Sequence, residues 1–248
     1  MAGLLENKVC IVTGSTRGIG KEIAILFARE GAKVVVNGSG KTDAEEWIKA
    51  YGMDNCLFPY YFDVTDSKSV RENVMNIKKR LGRIDVLVNN AGIEFNELIG
   101  MISRDKMEEM FKVNVYATIE MIQSVSRIMS RNKEGGCIIN ISSIVGLNGN
   151  PGQLVYSATK GAVTSLTKTA AKELSKNNIR VNAIAPGLTQ TEMIDAADSK
   201  AIENRIKNIY LGRIAQPIDI AGACLLLASD YASYISGQIL AVDGCSII

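Results

Sequence analysis

The chain has 248 residues, 47% of them hydrophobic, with 28 basic against 26 acidic side chains and a formal net charge of +2. That length suits one large α/β domain or two small ones, and the charge balance gives no reason to expect a nucleic acid or a membrane surface as partner. The chain contains no histidine, which excludes Ser-His and Cys-His nucleophiles and His-ligated metals and leaves proton chemistry to Tyr, Lys, carboxylates or water.

An apolar run at 8–13, with Val9, Ile11 and Val12, reads as a buried strand. Thr13-Gly14-Ser15-Thr16-Arg17-Gly18-Ile19-Gly20 follows, and Ile19, Ile23, Leu26 and Phe27 recur at helical spacing until Gly31. A second apolar strand covers 32–37, which completes a βαβ unit. Glycines between the first strand and its helix let backbone approach a pyrophosphate, and the helix start supplies oriented N–H groups. The spacing is Gly-x-x-x-Gly-x-Gly, different from the common Gly-x-Gly-x-x-Gly fingerprint.

The alternation continues. A third strand is read at 57–62, weakened by Pro59, and Asp63-Val64-Thr65-Asp66 marks its end and the next helix start. An amphipathic helix covers 67–81 and a fourth strand 84–88, followed by Asn89-Asn90-Ala91-Gly92. Small and amide residues at a strand's carboxyl end can line a ligand crevice. Helical material at 103–130 carries Asn114 in its middle, where Asn competes for backbone hydrogen bonds. Spacing leaves two readings open: a tolerated surface Asn, or one whose side chain or disrupted backbone holds an ordered water.

A fifth strand is read at 137–142 and a long helix at 153–175, then a sixth strand at 179–185 ending at Pro186-Gly187. The less regular stretch 188–211 reads as an excursion, in the manner of a lid. Pro217 opens another helix, and a last strand at 238–242 precedes Asp243-Gly244. No linker stands out. The expectation is one α/β domain, 1–248, with a mainly parallel sheet.

The stretch from Ser143 to Lys160 concentrates the chemistry. Tyr156 and Lys160 share a helix face at i, i+4. An ammonium beside a phenol lowers the phenol pKa, so the pair suits proton transfer at an oxygen. A bare Tyr-x-x-x-Lys is by itself only a helix surface pair, and its context decides. Ser143 follows the fifth strand, where a hydroxyl can meet the helix face. The five cysteines, Cys10, Cys56, Cys137, Cys224 and Cys245, are scattered with no Cys-x-x-Cys, so burial is the expected role for most. The N-terminus lacks a signal peptide's regions, and no apolar run approaches the ~20 residues of a span. A cytoplasmic protein is expected.

Together these motifs resemble the short-chain dehydrogenase/reductase family over nearly the whole chain. Thr13-Gly14-x-x-x-Gly18-x-Gly20 resembles its cofactor turn and Asn89-Asn90-Ala91-Gly92 its fourth-strand motif. Asn114, Ser143, Tyr156 and Lys160 resemble its catalytic tetrad, and Pro186-Gly187 with Thr191 the segment that closes over the nicotinamide. The resemblance implies a seven-stranded parallel Rossmann sheet, order 3-2-1-4-5-6-7, and a homotetramer built on helix pairs and the C-terminal strand region. A cofactor half at about 1–135 and a catalytic and substrate half at about 136–248 are implied with it. It implies cofactor contacts from Gly14, Ser15, Thr16, Arg17, Gly18, Ile19 and Gly20. Ser39, Asp63 and Val64 are implied at the ends of the second and third strands. Asn90, Ala91 and Gly92, then Tyr156 and Lys160, then Pro186, Gly187, Thr189 and Thr191 complete the set. Tyr156 would protonate a carbonyl oxygen, Ser143 would position it, and Lys160 would depress the Tyr156 pKa and hold the ribose. Asn114 would anchor a water linking Lys160 to solvent.

The second strand ends Val36-Asn37-Gly38-Ser39 without the acid that NAD enzymes place there, and Arg17 suits a 2′-phosphate. NADP(H) is therefore expected over NAD(H). Within the family, Gly149-Asn150-Pro151-Gly152-Gln153, Tyr156-Ser157-Ala158-Thr159-Lys160 and Pro186-Gly187-x-x-x-Thr191-x-Met193 are most similar to 3-oxoacyl-[acyl-carrier-protein] reductases. The implied activity is NADPH-dependent reduction of a ketone, a 3-oxoacyl thioester first, with acyl carrier protein as a candidate partner. Oxidation of another secondary alcohol, such as a hydroxysteroid or polyol, is the alternative. A non-catalytic dinucleotide sensor is a third reading, which the intact tetrad opposes. Two departures stand out. Glu134 and Asn177, flanked by Lys133 and Lys176, replace two carrier-docking arginines expected at the active-site mouth, and Cys245 replaces a glycine.

Overall fold

A computed structural model describes residues 3–40, 44–191 and 205–247. Much of the stretch read as a lid, and Met193 of the closing motif, lies in 192–204, outside the described residues. Seven strands form one parallel sheet in the order β3-β2-β1-β4-β5-β6-β7, as the resemblance implied. They are β1 (Val9–Val12), β2 (Lys33–Gly38), β3 (Leu57–Tyr61), β4 (Val86–Asn89), β5 (Gly136–Ile141), β6 (Ile179–Pro186) and β7 (Ile239–Val242). Each lies within two residues of its expected limits. Pro59 is tolerated because β3 is an edge strand.

Every residue of β1 and β4 is buried, as expected of central strands covered on both faces. Their side chains alternate between two cores. Cys10, Val12, Val86 and Val88 pack with Ile23 and Phe27 of helix α1 (Gly18–Arg29) and with Ile220 and Cys224 of the helix Pro217–Ala228. Ile11 and Leu87 face the other way, onto Val70, Val74 and Ile77 of Ser67–Leu81 and onto Met121 and Val125 of Ala117–Met129.

In chain order the helices after α1 are α2 (Ala44–Ala50), α3 (Ser67–Leu81), α4 (Arg104–Phe111), α5 (Ala117–Met129), α6 (Val145–Asn148), α7 (Leu154–Leu174) and α8 (Pro217–Ala228). The sequence reading had no counterpart for the short α2 and α6. It also read 103–130 as one helical stretch. The structure divides that stretch: five residues, Lys112–Tyr116, form a π segment between α4 and α5, with Asn114 at its centre.

Strand order reverses between β1 and β4. The loops leaving their carboxyl ends therefore part and open a crevice there. The glycine turn and Asn89-Asn90-Ala91-Gly92 both lie at that point.

Candidate active site

The glycine turn is shaped for a group brought close to backbone. Gly14 and Gly18 have φ of 59° and 56°, the left-handed region that favours glycine. A Cβ on Gly20 would lie 2.5 Å from the Gly14 carbonyl oxygen and 2.5 Å from Asn90 Nδ2. Helix α1 starts after an extended Arg17 that makes no side-chain cap, and its first turn holds no acidic residue. By contrast, Asp66 caps α3 by accepting from the N–H groups of Lys68 and Ser69 at 2.9 and 3.2 Å. The leading N–H groups of α1 are thus left for an anion. These features fit the pyrophosphate of a dinucleotide.

Two residues brace this cradle. Thr13 Oγ1 accepts from the N–H groups of Asn90 and Ala91, both at 3.0 Å, and Asn90 Nδ2 donates to the carbonyls of Thr13 and Gly14, both at 2.9 Å. Ser15, expected as a cofactor contact, is fully buried. Its hydroxyl donates to the Val12 carbonyl at 2.6 Å and accepts from Asn37 N–H at 2.9 Å, and its own N–H donates to the Asn37 carbonyl. It ties the turn to β2. Thr16 is half-buried and Arg17 exposed.

At the end of β2, Asn37 is buried and its amide donates to the Phe62 carbonyl at 3.0 Å. Ser39, just beyond, is exposed. Asp63 is exposed and accepts from Thr65 N–H at 2.8 Å, while Val64 beside it is buried.

The four candidate catalytic residues converge. Lys160 is 4% exposed and its ammonium donates to the Ile141 carbonyl at 2.8 Å. Burial pushes its pKa down from 10.5 to about 8, partly opposed by the Glu94 carboxylate. Tyr156 lies beside it, with the ammonium 5.6 Å from its ring centroid. Here the sequence expectation needs correcting. The Tyr156 phenol is pushed up, not down: burial comes first, Glu94 adds to it, and a hydrogen bond with Ser143 only partly offsets them. The i, i+4 spacing brought the two side chains to one face, but the Lys160 ammonium is turned to Ile141.

Asn114 is 1% exposed, so it is not a surface residue. Its Oδ1 accepts from Ile93 N–H at 2.9 Å, and its Nδ2 donates to the Ile93 carbonyl at 2.9 Å and to Thr159 Oγ1 at 3.1 Å. The amide therefore locks the loop after β4 to α7, and the backbone disruption takes the form of the π segment. A Cβ on Gly92 would meet Asn114 Oδ1 at 3.3 Å and Lys160 Nζ at 3.4 Å, so that glycine leaves the two groups room to face each other.

A cavity of about 860 Å³ opens in front of these residues. Ser143, Tyr156 and Lys160 line it, with Ile19, Asn90 and Gly92 on the cofactor side and Pro186, Gly187, Thr189 and Thr191 opposite. Gly18 faces this region as well, since a Cβ there would lie 3.8 Å from the Thr191 methyl. Gly14, Ser15, Thr16, Arg17, Gly20 and Ala91 form or adjoin the turn behind this lining, and Ser39, Asp63 and Val64 follow the ends of the outer strands.

The sequence reading assigned no site role to Glu94, Asn150, Gln153, Arg205, Ser246 or Ile247, which also line the cavity. The last two arrive through the chain's end, where Ile247 N–H donates to the Asn208 carbonyl at 2.8 Å and Ile209 bridges to Ser246. Such long-range pairing has no local sequence signal. Cys245 has φ of 59°, the strained conformation for which glycine was expected. Cys10, Cys137 and Cys224 are buried, Cys56 is half-buried and Cys245 is exposed, all as free thiols. Among the described residues no cluster of Cys, Asp or Glu suits a metal, and no helix is long and apolar enough to cross a membrane.

Glu134 and Asn177 are not at this chain's cavity mouth. Glu134 precedes β5 and Asn177 precedes β6, whereas Ser143 follows β5. The six residues of β5 separate the two ends by ~20 Å. Glu134 accepts from Arg83 Nη2 at 3.0 Å.

A glycine cradle at the switch point of a parallel sheet, joined to a buried Tyr-Lys pair, defines a nicotinamide-dependent oxidoreductase. The family described as Enoyl-(Acyl carrier protein) reductase matches residues 14–245, and the chain belongs to this short-chain dehydrogenase/reductase family. It is 42% identical over 245 residues to a 3-oxoacyl-[acyl-carrier-protein] reductase FabG of Thermotoga maritima, covering 98% of this chain and 99% of the relative. It is 40% identical over 247 residues to the protein of the same name from Chlamydia trachomatis, with 98% and 99% covered. It is also 40% identical over 246 residues to a 3alpha-hydroxysteroid dehydrogenase of Mediterraneibacter gnavus, with 98% of each chain covered.

Proposed function

We propose that this protein reduces a ketone to a secondary alcohol, with a 3-oxoacyl thioester as substrate and NADP(H) as the preferred cofactor. The carrying observation is that Ser143, Tyr156 and Lys160 line one cavity, with the Lys160 ammonium fixed on Ile141 and burial favouring the protonated Tyr156 phenol. The nicotinamide supplies hydride when bound. Tyr156 gives its proton to the carbonyl oxygen as charge develops there, and Ser143 hydrogen-bonds the same oxygen. Lys160, fixed by Ile141, stabilises the phenolate left behind and returns a proton to it. Asn114 keeps Lys160 and the loop after β4 in register.

The glycine cradle, Asn90, Gly92, Thr189 and Thr191 would hold the dinucleotide. The preference for NADP(H) is supported by the absence of an acid where β2 ends at Gly38, and by exposed Arg17 at the start of α1. The thioester is supported by the two relatives named as carrier-protein reductases. The hydroxysteroid dehydrogenase of nearly equal identity supports a second reading, oxidation of a cyclic secondary alcohol.

We read the working form as a cytoplasmic homotetramer. Exposed apolar side chains at Tyr116, Ile119 and Leu154 near α5 and α7, and at Ile218, Leu226 and Leu240 on α8 and β7, offer two separate helix and strand faces. Light scattering after gel filtration tests this.

A turnover panel decides the substrate: 3-oxoacyl thioesters against cyclic and steroidal ketones, with both nicotinamide cofactors. Thioester reduction with NADPH supports the first reading. Activity confined to steroidal ketones would move the assignment to the second, and cofactor binding without turnover of any reactive ketone would leave the sensor.

A further inference from the structure

One charged group at the cavity takes no part in the chemistry above. Glu94 follows the Asn89-Asn90-Ala91-Gly92 turn and lines the cavity with Ser143 and Tyr156. Its carboxylate accepts a hydrogen bond from Gln153 Nε2. Gln153 is 7% exposed and its own carbonyl accepts from Asn150 Nδ2 at 2.5 Å. The loop is pinned in turn, because Glu97 N–H donates to the Gly152 carbonyl at 2.8 Å and Ser103 N–H donates to Glu97 Oε2 at 2.9 Å. Thus Asn150, Gln153 and Glu94 form a chain of hydrogen-bonded side chains along the cavity, with the carboxylate at one end. The same carboxylate acts electrostatically on both Tyr156 and Lys160.

We propose that Glu94 is a specificity-determining residue that makes the site accept a neutral 3-oxoacyl ester or thioester and reject the free 3-oxo acid. In the acid, a carboxylate stands two atoms from the ketone. Seating that ketone against Tyr156 and Ser143 brings the substrate's charge beside Glu94, where like charges repel in a partly dry cavity. The ester and thioester carry no charge there. The other charged side chains lining the cavity among the described residues are Lys160 and Arg205. Lys160 donates to the neutral Ile141 carbonyl and keeps its charge, which is the same in wild type and in each Glu94 variant, and Arg205 is exposed. Glu94 thereby separates the activated substrate from its own hydrolysis product.

This inference rests on the ketone-reduction reading, and its test is separable from it. Compare kcat/KM for a neutral acetoacetyl ester and for acetoacetate in the wild type, Glu94→Gln and Glu94→Asp. Glu94→Gln keeps a hydrogen-bonding partner for Gln153 and removes the charge. The ratio of ester to acid should fall by about tenfold or more in Glu94→Gln, the scale of one charge pair in such a medium, and stay close to wild type in Glu94→Asp. A second readout separates charge from packing. Around Tyr156 the charged groups are Glu94 from the β4–α4 loop and Lys160 one turn along α7, and Ser143 is neutral. In alcohol oxidation, the limb that rises with pH should move to lower pH in Glu94→Gln, because the neutral variant favours the phenolate more. An unchanged ratio together with an unmoved limb would overturn the proposal. If no 3-oxoacyl compound is turned over but a cyclic ketone is, the substrate reading has failed. The Glu94 test then runs on a cyclic ketone with and without a carboxylate beside the carbonyl, with the same expected change in ratio. No change in that ratio would overturn the role of Glu94.

Discussion

Lys160 donates to the carbonyl of Ile141, at the end of β5, and its ammonium lies 5.6 Å from the ring centroid of the Tyr156 it serves. The bond uses a strand end to fix a helix side chain. It helps a buried cation persist, because a charge-assisted hydrogen bond offsets part of its desolvation and the Glu94 carboxylate opposes the rest in part. It also means that the phenol of the cofactor-free protein is set by burial and by Glu94, which suits a proton donor.

Lys160 therefore works against stability. Its pKa lies at about 8 in the folded protein against 10.5 when unperturbed. Between those values the unfolded chain binds more protons, so stability rises with pH across that window, and below pH 8 the full penalty is present. Lys160→Met should abolish turnover yet raise Tm by roughly 2–5 °C at pH 7. The gain should shrink as pH approaches 10.5. Thermal melts of the two proteins from pH 7 to 10.5 check it; a lower Tm for the variant throughout would count against the burial argument.

Cofactor choice should turn on the end of β2. Gly38→Asp places a carboxylate where β2 ends and exposed Ser39 follows. A carboxylate repels a 2′-phosphate and accepts from a 2′-hydroxyl. The ratio of kcat/KM for NADPH over NADH should fall by about tenfold or more. Titration of both cofactors by fluorescence gives the same comparison without turnover, and tighter binding of NADH than NADPH by the wild type would refute the assigned preference.

Gly20→Ala should disturb the cradle and Asn90 beside it while leaving Tyr156 and Lys160 in place. The added Cβ meets the Gly14 carbonyl oxygen and Asn90 Nδ2 at 2.5 Å, distances that force backbone to move. Cofactor affinity should drop by at least about tenfold, with destabilisation of roughly 1–3 kcal/mol. Calorimetry and denaturant melts read the two effects separately.

The C-terminal turn should gain from the opposite change. Cys245 has φ of 59°, and Gly244 before it has φ of 67°. Cys245→Gly relieves a left-handed conformation that costs a non-glycine residue roughly 1 kcal/mol. Looser unfolded chain entropy offsets part of that gain, so a small rise in denaturant midpoint is expected.

Strand positions, the glycine cradle and the Tyr156–Lys160 pair were legible because each rests on a short-range signal, whereas the sheet order and the choice of Asn114 and Ser143 came from the family resemblance. Buried central strands are apolar runs, glycines mark the cradle, and Tyr156 and Lys160 lie one helical turn apart. What was not legible depends on distance along the chain. Glu94 reaches Gln153 across 59 positions, and the C-terminal residues reach the cavity by pairing with 208–211. The Tyr156 shift was misread because spacing reports nearness, whereas the shift depends on burial and on where Lys160 donates. The surroundings of Ser15 were hidden for a similar reason: its place in the motif does not say that Asn37 and Val12 hydrogen-bond its polar groups. Glu134 was misplaced because its relation to the mouth needs the direction of β5, which only the fold supplies.

The central claim is that Tyr156 gives the proton. Tyr156→Phe keeps the ring and removes the hydroxyl, while the glycine cradle and Lys160 are untouched. The decisive measurement is steady-state reduction of a 3-oxoacyl thioester by wild type and variant, alongside cofactor binding by calorimetry. Tyr156→Phe should lower kcat by about 10²–10⁴-fold, with cofactor affinity close to wild type. A variant that keeps more than roughly a tenth of the activity would contradict that claim, because a general acid of this kind contributes well above that.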